Sequence, residues 1–285
     1  MTNIFLKSAL SIAFLALVLT SCDIVQAPYT ENNIDTTTNP NIRKIVLEEY
    51  TGFRCGNCPA ASDFAKKLRD SIFKDNNIII MSIHAGPYAL PKGTHKYDFR
   101  TTEATELDNF FGCSNAGNPN GLISRVGYST NHILRDGAWE EAINTLIKAP
   151  PPNMSVDLTN TYNAANREVT ATVKVKYWNA GSTNDNLCLY MIEDSVVQYQ
   201  LDDRQVNPDV ENYVHDHVFR TALTGTWGDT LSTTPPKARQ TIEKTVKYII
   251  PAGKDWRINK LKIIAFVYDN GATYEIWQAD EKPVQ

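Results

Sequence analysis

The sequence predicts an α/β domain followed by an all-β domain. Between residues 42 and 149, β-rich runs alternate with segments of helical periodicity, which is typical of a sheet covered by helices. Three consecutive prolines, Pro150 to Pro152, then indicate a stiff boundary. Beyond them helical periodicity disappears, and several runs alternate apolar and polar residues as half-buried strands do. The predicted boundary between the two domains therefore lies between residues 149 and 150.

The first 21 residues predict an export signal. Lys7 supplies a positive start, and an apolar run extends from Ala9 to Leu19. That run is shorter than the about 20 apolar residues that a membrane-spanning helix needs. It ends in Leu-Thr-Ser-Cys, which resembles the lipobox of bacterial lipoproteins, where the signal is cleaved before the cysteine and lipid is attached. We expect lipid on Cys22; the alternative is an ordinary secretory signal that ends near a cysteine.

Residues 22–41 are polar, rich in asparagine and threonine, and without periodicity. They predict a flexible tether between the lipid anchor at Cys22 and the folded part of the chain. The membrane is therefore the first predicted partner, reached through acyl chains and not through a spanning segment. The net charge is −4 and no basic stripe is visible, so the sequence does not favour nucleic acid as a partner.

In the α/β region, strands and helices can be assigned from their periods. The three predicted strands are RKIVLEEY (43–50), NIIIMSIHA (77–85) and NGLISRV (120–126). The three predicted helices are PAASDFAKKLRDSIFKD (59–75), TTEATELDNFFG (101–112) and RDGAWEEAINTLIKA (135–149). We expect the second helix to belong to an insertion between the second and third strands.

The region from 150 to 285 predicts strands without helices. Alternating runs occupy 167–178, 241–250, 259–269 and 273–279, and the last two are joined by the turn signal Asp269-Asn270-Gly271-Ala272. Several such strands favour a β-sandwich of immunoglobulin-like type. A long, poorly patterned stretch lies between residues 198 and 240, and long loops of this kind often carry function.

Two cysteines three residues apart, Cys55 and Cys58, lie between the first predicted strand and the first predicted helix. A zinc site needs about four ligands, and no second pair or histidine cluster occurs at zinc-ribbon spacing. A redox couple is favoured by the helix N-terminus, whose dipole stabilises a thiolate. A fixed disulfide is the remaining interpretation in an oxidising compartment.

The segment IVLEEYTGFRCGNC resembles the strand-to-active-site segment of thioredoxin-like proteins. The resemblance implies that Glu49 is the buried acid of that superfamily, with a raised pKa, and takes the proton from Cys58. It also implies that Pro119 is the cis-proline that faces the cysteines; the alternative is an ordinary turn at Asn-Pro-Asn-Gly. Arg54 departs from the pattern, because an aromatic residue usually precedes the first cysteine.

A lipobox, the motif YTGFRCGNCP, the strand GNPNG and a β-domain with HDHVFR and GTWGD together resemble the twenty-eight-kilodalton outer membrane protein family of Gram-negative lipoproteins. The resemblance implies an outer-membrane lipoprotein, facing either the periplasm or the outside. It does not supply a reaction, because the role of that family is not well defined.

Other candidate residues have weaker support. His215 and His217 share one face of an extended segment and are weak metal candidates, although such histidines are more often hydrogen-bonded locally. His84 follows a buried strand and is interpreted as a structural histidine or as a neighbour of the cysteines. Cys113 and Cys188 are either bridged or two buried free thiols. No cofactor is predicted.

The leading functional prediction is thiol–disulfide exchange on envelope proteins, with protein thiols or disulfides as partners. Cys55 would be the nucleophile, Cys58 the resolving thiol and Glu49 the proton acceptor, while Pro119 would hold the substrate backbone. The alternative is a binding or structural lipoprotein with a static disulfide, whose β-domain contacts other envelope or host proteins. The sequence leaves open whether the protein is an enzyme.

Overall fold

The structure is a computed structural model that describes residues 42–74 and 78–285. The predicted signal, Cys22 and the predicted tether lie outside these residues. The described part contains α1 (Cys58–Lys67), α2 (Thr102–Phe111) and α3 (Trp139–Lys148), with a π-helical turn, Leu68–Ile72, that continues α1. All three helices were predicted within a few residues. In the ranges that the structure covers, no helix is long and apolar enough to cross a membrane.

The strands are short to medium in length and are numbered in chain order. They are β1 (Ile45–Thr51), β2 (Ile78–His84), β3 (Asn120–Ile123), β4 (Met154–Asn163), β5 (Glu168–Tyr177), β6 (Asp185–Glu193), β7 (Val196–Leu201), β8 (Asp209–His215), β9 (Val218–Ala222), β10 (Asp229–Thr230), β11 (Thr241–Ile249), β12 (Leu261–Asp269) and β13 (Ile276–Pro283).

One large mixed sheet organises the fold. Its strand order is β13-β12-β6-β9-β2-β1-β3, and β10 pairs with β6. The pairs β1–β2 and β2–β9 are parallel, whereas β3 and the strands beyond β9 run antiparallel to their neighbours. A second sheet has the order β11-β5-β4, and β7 and β8 form a separate hairpin.

The prediction of a thioredoxin-like α/β domain followed by an immunoglobulin-like sandwich is wrong. β9 lies beside β2 in parallel, with Ser82 opposite Val218, so the large sheet crosses the proline boundary at Pro150 to Pro152. The amide of Ser82 donates to the carbonyl of His217 at 2.8 Å. The physical reason is that β2 is buried on both faces and needs hydrogen-bonding neighbours on both edges, and β9 supplies the second neighbour.

The two faces of the large sheet bury different partners. On one face, α2 packs with side chains from β1, β2, β6 and β12 in a single core cluster. On the other face, α1 and α3 cover β1 and β2, and the three-stranded sheet covers β6 and β12. The site described next lies at the end of β1 and β2 where α1 begins.

Candidate functional site

The cysteine pair lies where β1 turns into α1. The sulfur atoms of Cys55 and Cys58 are at disulfide-bonding distance, and both side chains are buried, with relative exposures of 4% and 1%. α1 starts at Cys58, and Pro59 occupies its first turn, where a missing N–H is tolerated. The side chain of Arg54 does not lie free beside the cysteines, because it donates to the carbonyl of Pro87 at 2.6 Å.

Glu49 lies in the interior of β1 and is 1% exposed. Ser62 of α1 donates to one carboxyl oxygen, and Ser82 of β2 donates to the other at 3.1 Å. Burial raises the pKa of Glu49 to about 7, although the two hydroxyl hydrogen bonds oppose the shift. The carboxyl group therefore changes charge near neutral pH, as the predicted role of a proton acceptor requires.

Glu49 and Cys58 line the same small cavity of about 20 Å³. A cavity of this size can hold a single water molecule. Its wall also includes Ser62, Lys66, Ser82, His84, Gln200, Tyr213, His215 and Asp216. Glu49 of β1 and the second cysteine thus line one cavity, and the β7–β8 hairpin supplies part of its wall.

The β7–β8 hairpin covers the cysteine loop through three hydrogen bonds. The amide of Leu201 donates to the carbonyl of Phe53 at 2.8 Å, and the amide of Asp203 donates to the carbonyl of Gly56 at 3.0 Å. The side-chain amide of Gln200 donates to the carbonyl of Cys55 at 3.1 Å. The carbonyls of Phe53, Cys55 and Gly56 are therefore all in contact with the hairpin, and this explains the low exposure of the pair.

Two ion pairs also join the hairpin region to α1. Lys66 of α1 contacts Asp216 at 2.9 Å, and Arg204 contacts Asp63 of α1 at 2.8 Å. These side chains are a quarter to a half exposed, so the pairs are screened and each contributes little. The backbone hydrogen bonds carry more of the attachment than the charges do.

Pro119 precedes β3, and its peptide bond with Asn118 is cis, the isomer that was predicted. β3 pairs with β1 so that Asn120 lies opposite Tyr50. Pro119 consequently lies at the end of the sheet from which the cysteine loop departs. The carbonyl of Pro119 accepts a hydrogen bond from Arg135 at 3.1 Å. Its predicted role in holding a substrate backbone stays a prediction.

The two weak metal candidates have different partners. His215, at the end of β8, contacts the carbonyl of Tyr199 at 3.3 Å, and burial lowers its pKa to about 4. His217 contacts Asp194 at 2.9 Å through one ring nitrogen and Arg69 at 2.8 Å through the other. Across residues 42–74 and 78–285, no group of three or more His, Cys, Asp or Glu side chains is arranged to hold a metal ion.

The remaining cysteines are buried free thiols. Cys113 follows α2, Cys188 lies in β6, and no bridge joins them. Burial raises the pKa of both thiols, that of Cys188 to about 12. Both therefore stay protonated at neutral pH and are poor nucleophiles. They are convenient internal controls for the reactivity of the Cys55–Cys58 pair.

Sequence reasoning missed the hairpin and the two serines. Ser82 interrupts the apolar run of β2, and a hydroxyl between isoleucines is a usable signal for a buried polar partner. Gln200 lies in the poorly patterned stretch, where nothing local indicates contact with residues 145 positions earlier.

Replacing Glu49 by glutamine is expected to alter the pH dependence of stability. The carboxyl titrates near 4.5 in the unfolded chain and near 7 in the folded protein. Because the folded protein holds the proton more tightly, this contribution to stability is fully present below pH 4.5 and is lost as the pH rises to 7. Glu49→Gln should therefore raise the free energy of unfolding by roughly 2–3 kcal/mol at pH 8 and change it little at pH 4.

Urea unfolding at pH 4, 6 and 8 measures this effect. Glu140→Gln on the exposed surface of α3 is the control, and its difference from the unmodified protein should not change between pH 6 and 8. Parallel stability profiles of Glu49→Gln and the unmodified protein from pH 5 to 8 would contradict the raised pKa.

Comparison with known proteins identifies a family. A family model described as outer membrane protein Omp28 matches residues 104–284, well over half of the chain. No curated protein matches the sequence. The match begins after the cysteine pair, so it concerns α2 and the β-rich remainder and does not include Glu49, Cys55 or Cys58.

Solved structures resemble the chain at low sequence identity. HBP35 of Porphyromonas gingivalis matches with a TM-score of 0.64 and 17% identity over 85% of this chain and 75% of that one. A protein from Agrobacterium tumefaciens matches with a TM-score of 0.48 and 16% identity over 84% and 93% of the two chains. A domain of the outer membrane lipoprotein Omp28 from P. gingivalis matches with a TM-score of 0.32 and 18% identity over 47% and 96%. At these identities the HBP35 match shows a shared fold alone.

Proposed function

We propose that this chain, which belongs to the Omp28 family of outer membrane proteins, exchanges thiols and disulfides at Cys55 and Cys58. Its place at the outer membrane follows from the family. We propose further that Cys22 carries the lipid that anchors it there. Substrates would be protein thiols or disulfides of the cell envelope.

One observation carries the proposal of exchange. The resolving cysteine at the start of α1 lines the same small cavity as Glu49, whose pKa of about 7 suits a proton acceptor at neutral pH. A purely structural disulfide needs no buried acid beside it. Burying a carboxyl group without a direct ion pair lowers stability, so its place in the cavity that Cys58 also lines supports a chemical role.

The proposed reaction conserves electrons and protons. In the reduced protein, the Cys55 thiolate attacks a substrate disulfide, forms a mixed disulfide and releases the first substrate thiolate. Cys58 then loses its proton to Glu49, and its thiolate attacks the sulfur of Cys55. The Cys55–Cys58 disulfide forms, the second substrate thiolate leaves, and the substrate has gained two electrons. The reverse sequence oxidises a substrate dithiol.

A second candidate function has its own support. The exposures of 4% and 1% at the two cysteines, together with the hairpin above them, favour a static disulfide that stiffens the loop. The protein would then be a binding or structural lipoprotein whose β-rich part contacts other envelope or host proteins. The two candidates differ in one property, the reactivity of the pair in the folded protein.

Turnover of a disulfide substrate separates the candidates. The mature chain, reduced with dithiothreitol and desalted, should accelerate the reduction of insulin in a coupled assay. Cys55→Ser should abolish the acceleration, and Cys58→Ser should accumulate a mixed disulfide that mass spectrometry detects. Cys188→Ala is the matched control, because that thiol is buried and should leave the rate unchanged. Equal rates for the unmodified protein and the double serine variant would leave only the static disulfide.

A further inference from the structure

β11 is an outer strand of the three-stranded sheet and has a neighbouring strand on one side only. It pairs antiparallel with β5 over its whole length, Thr241–Ile249. The opposite outer strand, β4, is covered by β13, because the amide of Leu158 donates to the carboxylate of Asp280 at 2.9 Å. β11 therefore differs from β4 in having an open edge.

The odd-numbered residues of β11 direct their backbone groups to the open edge. In an antiparallel pair, residues that hydrogen-bond to the neighbouring strand alternate with residues that do not. Just beyond β11 and in the same register, the amide of Ile250 donates to the carbonyl of Arg167 at 3.0 Å, so the even-numbered residues bond to β5. Among the described residues, the outward backbone groups of Glu243, Thr245 and Lys247 have no hydrogen-bond partner.

The inward face of β11 is only half covered. Ile242, Val246 and Tyr248 pack against the core between the two sheets, yet each stays partly exposed. The inward side chains of β5, which has neighbours on both sides, are fully buried. At the end of β11, Ile249 is 60% exposed. A further strand beside β11 would cover these apolar side chains and pair the outward backbone groups.

The charges of β11 match those of a second β11. Lysines on an edge strand commonly prevent pairing with another chain, and β11 contains Lys244 and Lys247. If two copies pair antiparallel about Thr245, however, Lys247 of each copy lies opposite Glu243 of the other, and Lys244 lies opposite Val246. Opposite charges that face each other across antiparallel strands stabilise the pairing. β11 is therefore complementary to itself in this register.

The two neighbouring symmetric registers lack this match. Pairing centred on Lys244 places two lysines directly opposite each other, which is destabilising. Pairing centred on Val246 places Lys247 opposite Thr245, so the charge has no direct partner. The register about Thr245 is therefore favoured over both.

We propose that β11 is the docking edge for β11 of a second copy of this chain, paired antiparallel with Thr245 on the two-fold axis. The axis is perpendicular to the sheet, so the two three-stranded sheets continue into each other and their inward faces lie on the same side. Ile242 of each copy lies opposite Tyr248 of the other. β11 shares no residue with the cysteine site, so this inference is independent of thiol–disulfide exchange.

Sedimentation velocity of the mature chain measures the association. Every sample carries Cys22→Ser, so that neither lipid nor a disulfide at that position joins two copies. A strand pair alone is smaller than a standard interface of about 1,600 Å², so we expect a weak dimer with a Kd of about 10–100 µM. The dimer fraction should accordingly rise between about 5 and 500 µM.

Exchanging the charges tests the proposed pairing. Glu243→Lys and Lys247→Glu should each weaken self-association by about tenfold, because each places like charges opposite each other twice in the dimer. An equimolar mixture of the two variants should associate like the unmodified chain, because all facing charges in the mixed dimer are then opposite. Lys174→Glu is the matched control, since this lysine is 60% exposed on the neighbouring strand β5 and does not face the second copy. Circular dichroism verifies that each variant folds.

Cysteine cross-linking tests the register. Thr245→Cys places two thiols at a hydrogen-bonded pair, where the Cα atoms are about 5.5 Å apart and a disulfide can form. Thr241→Cys lies in the same strand but about 27 Å from its equivalent in the second copy. After oxidation with copper–phenanthroline, a non-reducing gel should show a covalent dimer for Thr245→Cys and none for Thr241→Cys.

Three results would overturn the proposal. The first is an unmodified chain that stays monomeric at every concentration, which leaves the edge to solvent or to a strand of another protein. The second is equal association of the unmodified chain and both charge variants. The third is cross-linking of Thr241→Cys as readily as of Thr245→Cys. In the last two cases a different surface carries the association.

Discussion

Replacing Arg125 by methionine is expected to lower the free energy of unfolding by about 3–5 kcal/mol, the usual loss when one partner of a buried ion pair is removed. Arg125 and Glu48 are both fully buried. The guanidinium donates to the two carboxyl oxygens at 2.7 and 2.6 Å, which is a bidentate arrangement. Without the arginine, the Glu48 carboxyl loses both hydrogen bonds in the interior of the protein.

The surroundings of Arg125 make the loss large. The guanidinium lies within about 5.5 Å of the ring centroids of Phe111, Phe266 and Tyr268, so it also forms cation–π contacts. Phe111 ends α2, while Phe266 and Tyr268 belong to β12. The ion pair therefore connects β1 and the turn after β3 with β12, a strand from the other side of the proline boundary.

Chemical unfolding of three variants tests this prediction. The double variant Glu48→Leu with Arg125→Met should recover most of the stability, because two apolar side chains leave no unpaired charge. Arg100→Met removes an arginine from a partly exposed pair with Asp98 and should cost less than about 1 kcal/mol. A loss at Arg125→Met as small as the loss at Arg100→Met would contradict the expectation.

The sequence predicted the local elements well because their signals are local. α2 illustrates this: Thr101 accepts a hydrogen bond from the amide of Ala104 at its start, and Gly112 ends it with φ of +78°. The alternating pattern of β5 and β11 likewise indicates one inward face, which is buried in β5 and half-buried in β11. Both kinds of signal depend on residues that lie close together in the chain.

The order of strands in the large sheet could not be predicted from such local signals. β9 has five residues, all of them buried, and its sequence Val-Phe-Arg-Thr-Ala has no clear period. Its pairing with β2 joins residues more than 130 positions apart, Ser82 and Val218. The predicted pair of separate domains and the observed sheet are both compatible with the same local sequence pattern. Only the need for a hydrogen-bonding neighbour at the second edge of β2 distinguishes the two arrangements.

In the candidate site, too, the features with local sequence signals were predicted and those that depend on distant residues were not. Cys55 and Cys58 were found from their spacing, and Glu49, six residues before Cys55, was named from the resemblance to thioredoxin-like proteins. His84 was interpreted mainly as a hydrogen-bonded structural histidine, whereas neither of its ring nitrogens has a hydrogen-bond partner among the described residues, because the sequence does not reveal whether a histidine has a partner. The hairpin cover was not predicted, because two of its three hydrogen bonds come from backbone amides, which require no particular side chain.

Shortening the β7–β8 hairpin is expected to increase the rate at which dithiothreitol reduces the Cys55–Cys58 disulfide by about 100-fold. Three hydrogen bonds hold the hairpin on the cysteine loop, and each contributes about 0.5–1.5 kcal/mol. If reduction requires them to open, the reactive state lies about 3 kcal/mol above the closed one, which corresponds to a population near one in a hundred.

The geometry of the hairpin permits a clean deletion. Val197 and Val214 are paired across β7 and β8, so Asn-Gly can replace residues 198–213 as a two-residue turn. The deletion removes the donors Gln200, Leu201 and Asp203. It retains Val196, which packs against Phe53, and it retains His215 in the cavity wall.

The hairpin also has features of a segment that can move as a unit. It forms its own two-stranded sheet, and both residues at its base have left-handed backbone conformations, with φ of +62° at Ser195 and +58° at His217. Its outward face exposes Val197 and Val214 to almost half of their surface. Its attachment includes the inward hydrogen bonds, the partly exposed ion pairs and the packing of Val196 in the cluster of Phe53 and Phe99.

Stopped-flow reduction at fixed pH, followed by alkylation and mass spectrometry, measures the rate. Gln200→Ala removes one of the three bonds and should accelerate reduction by about fivefold. Val206→Ser changes the fully exposed tip of the hairpin and should have no effect. If the shortened chain is reduced as slowly as the Val206→Ser control, the hairpin does not limit access, and the slow step lies in the disulfide itself. A large acceleration instead means that the same fold can hold a static disulfide or a reactive one, depending on whether this hairpin is closed or displaced by a partner.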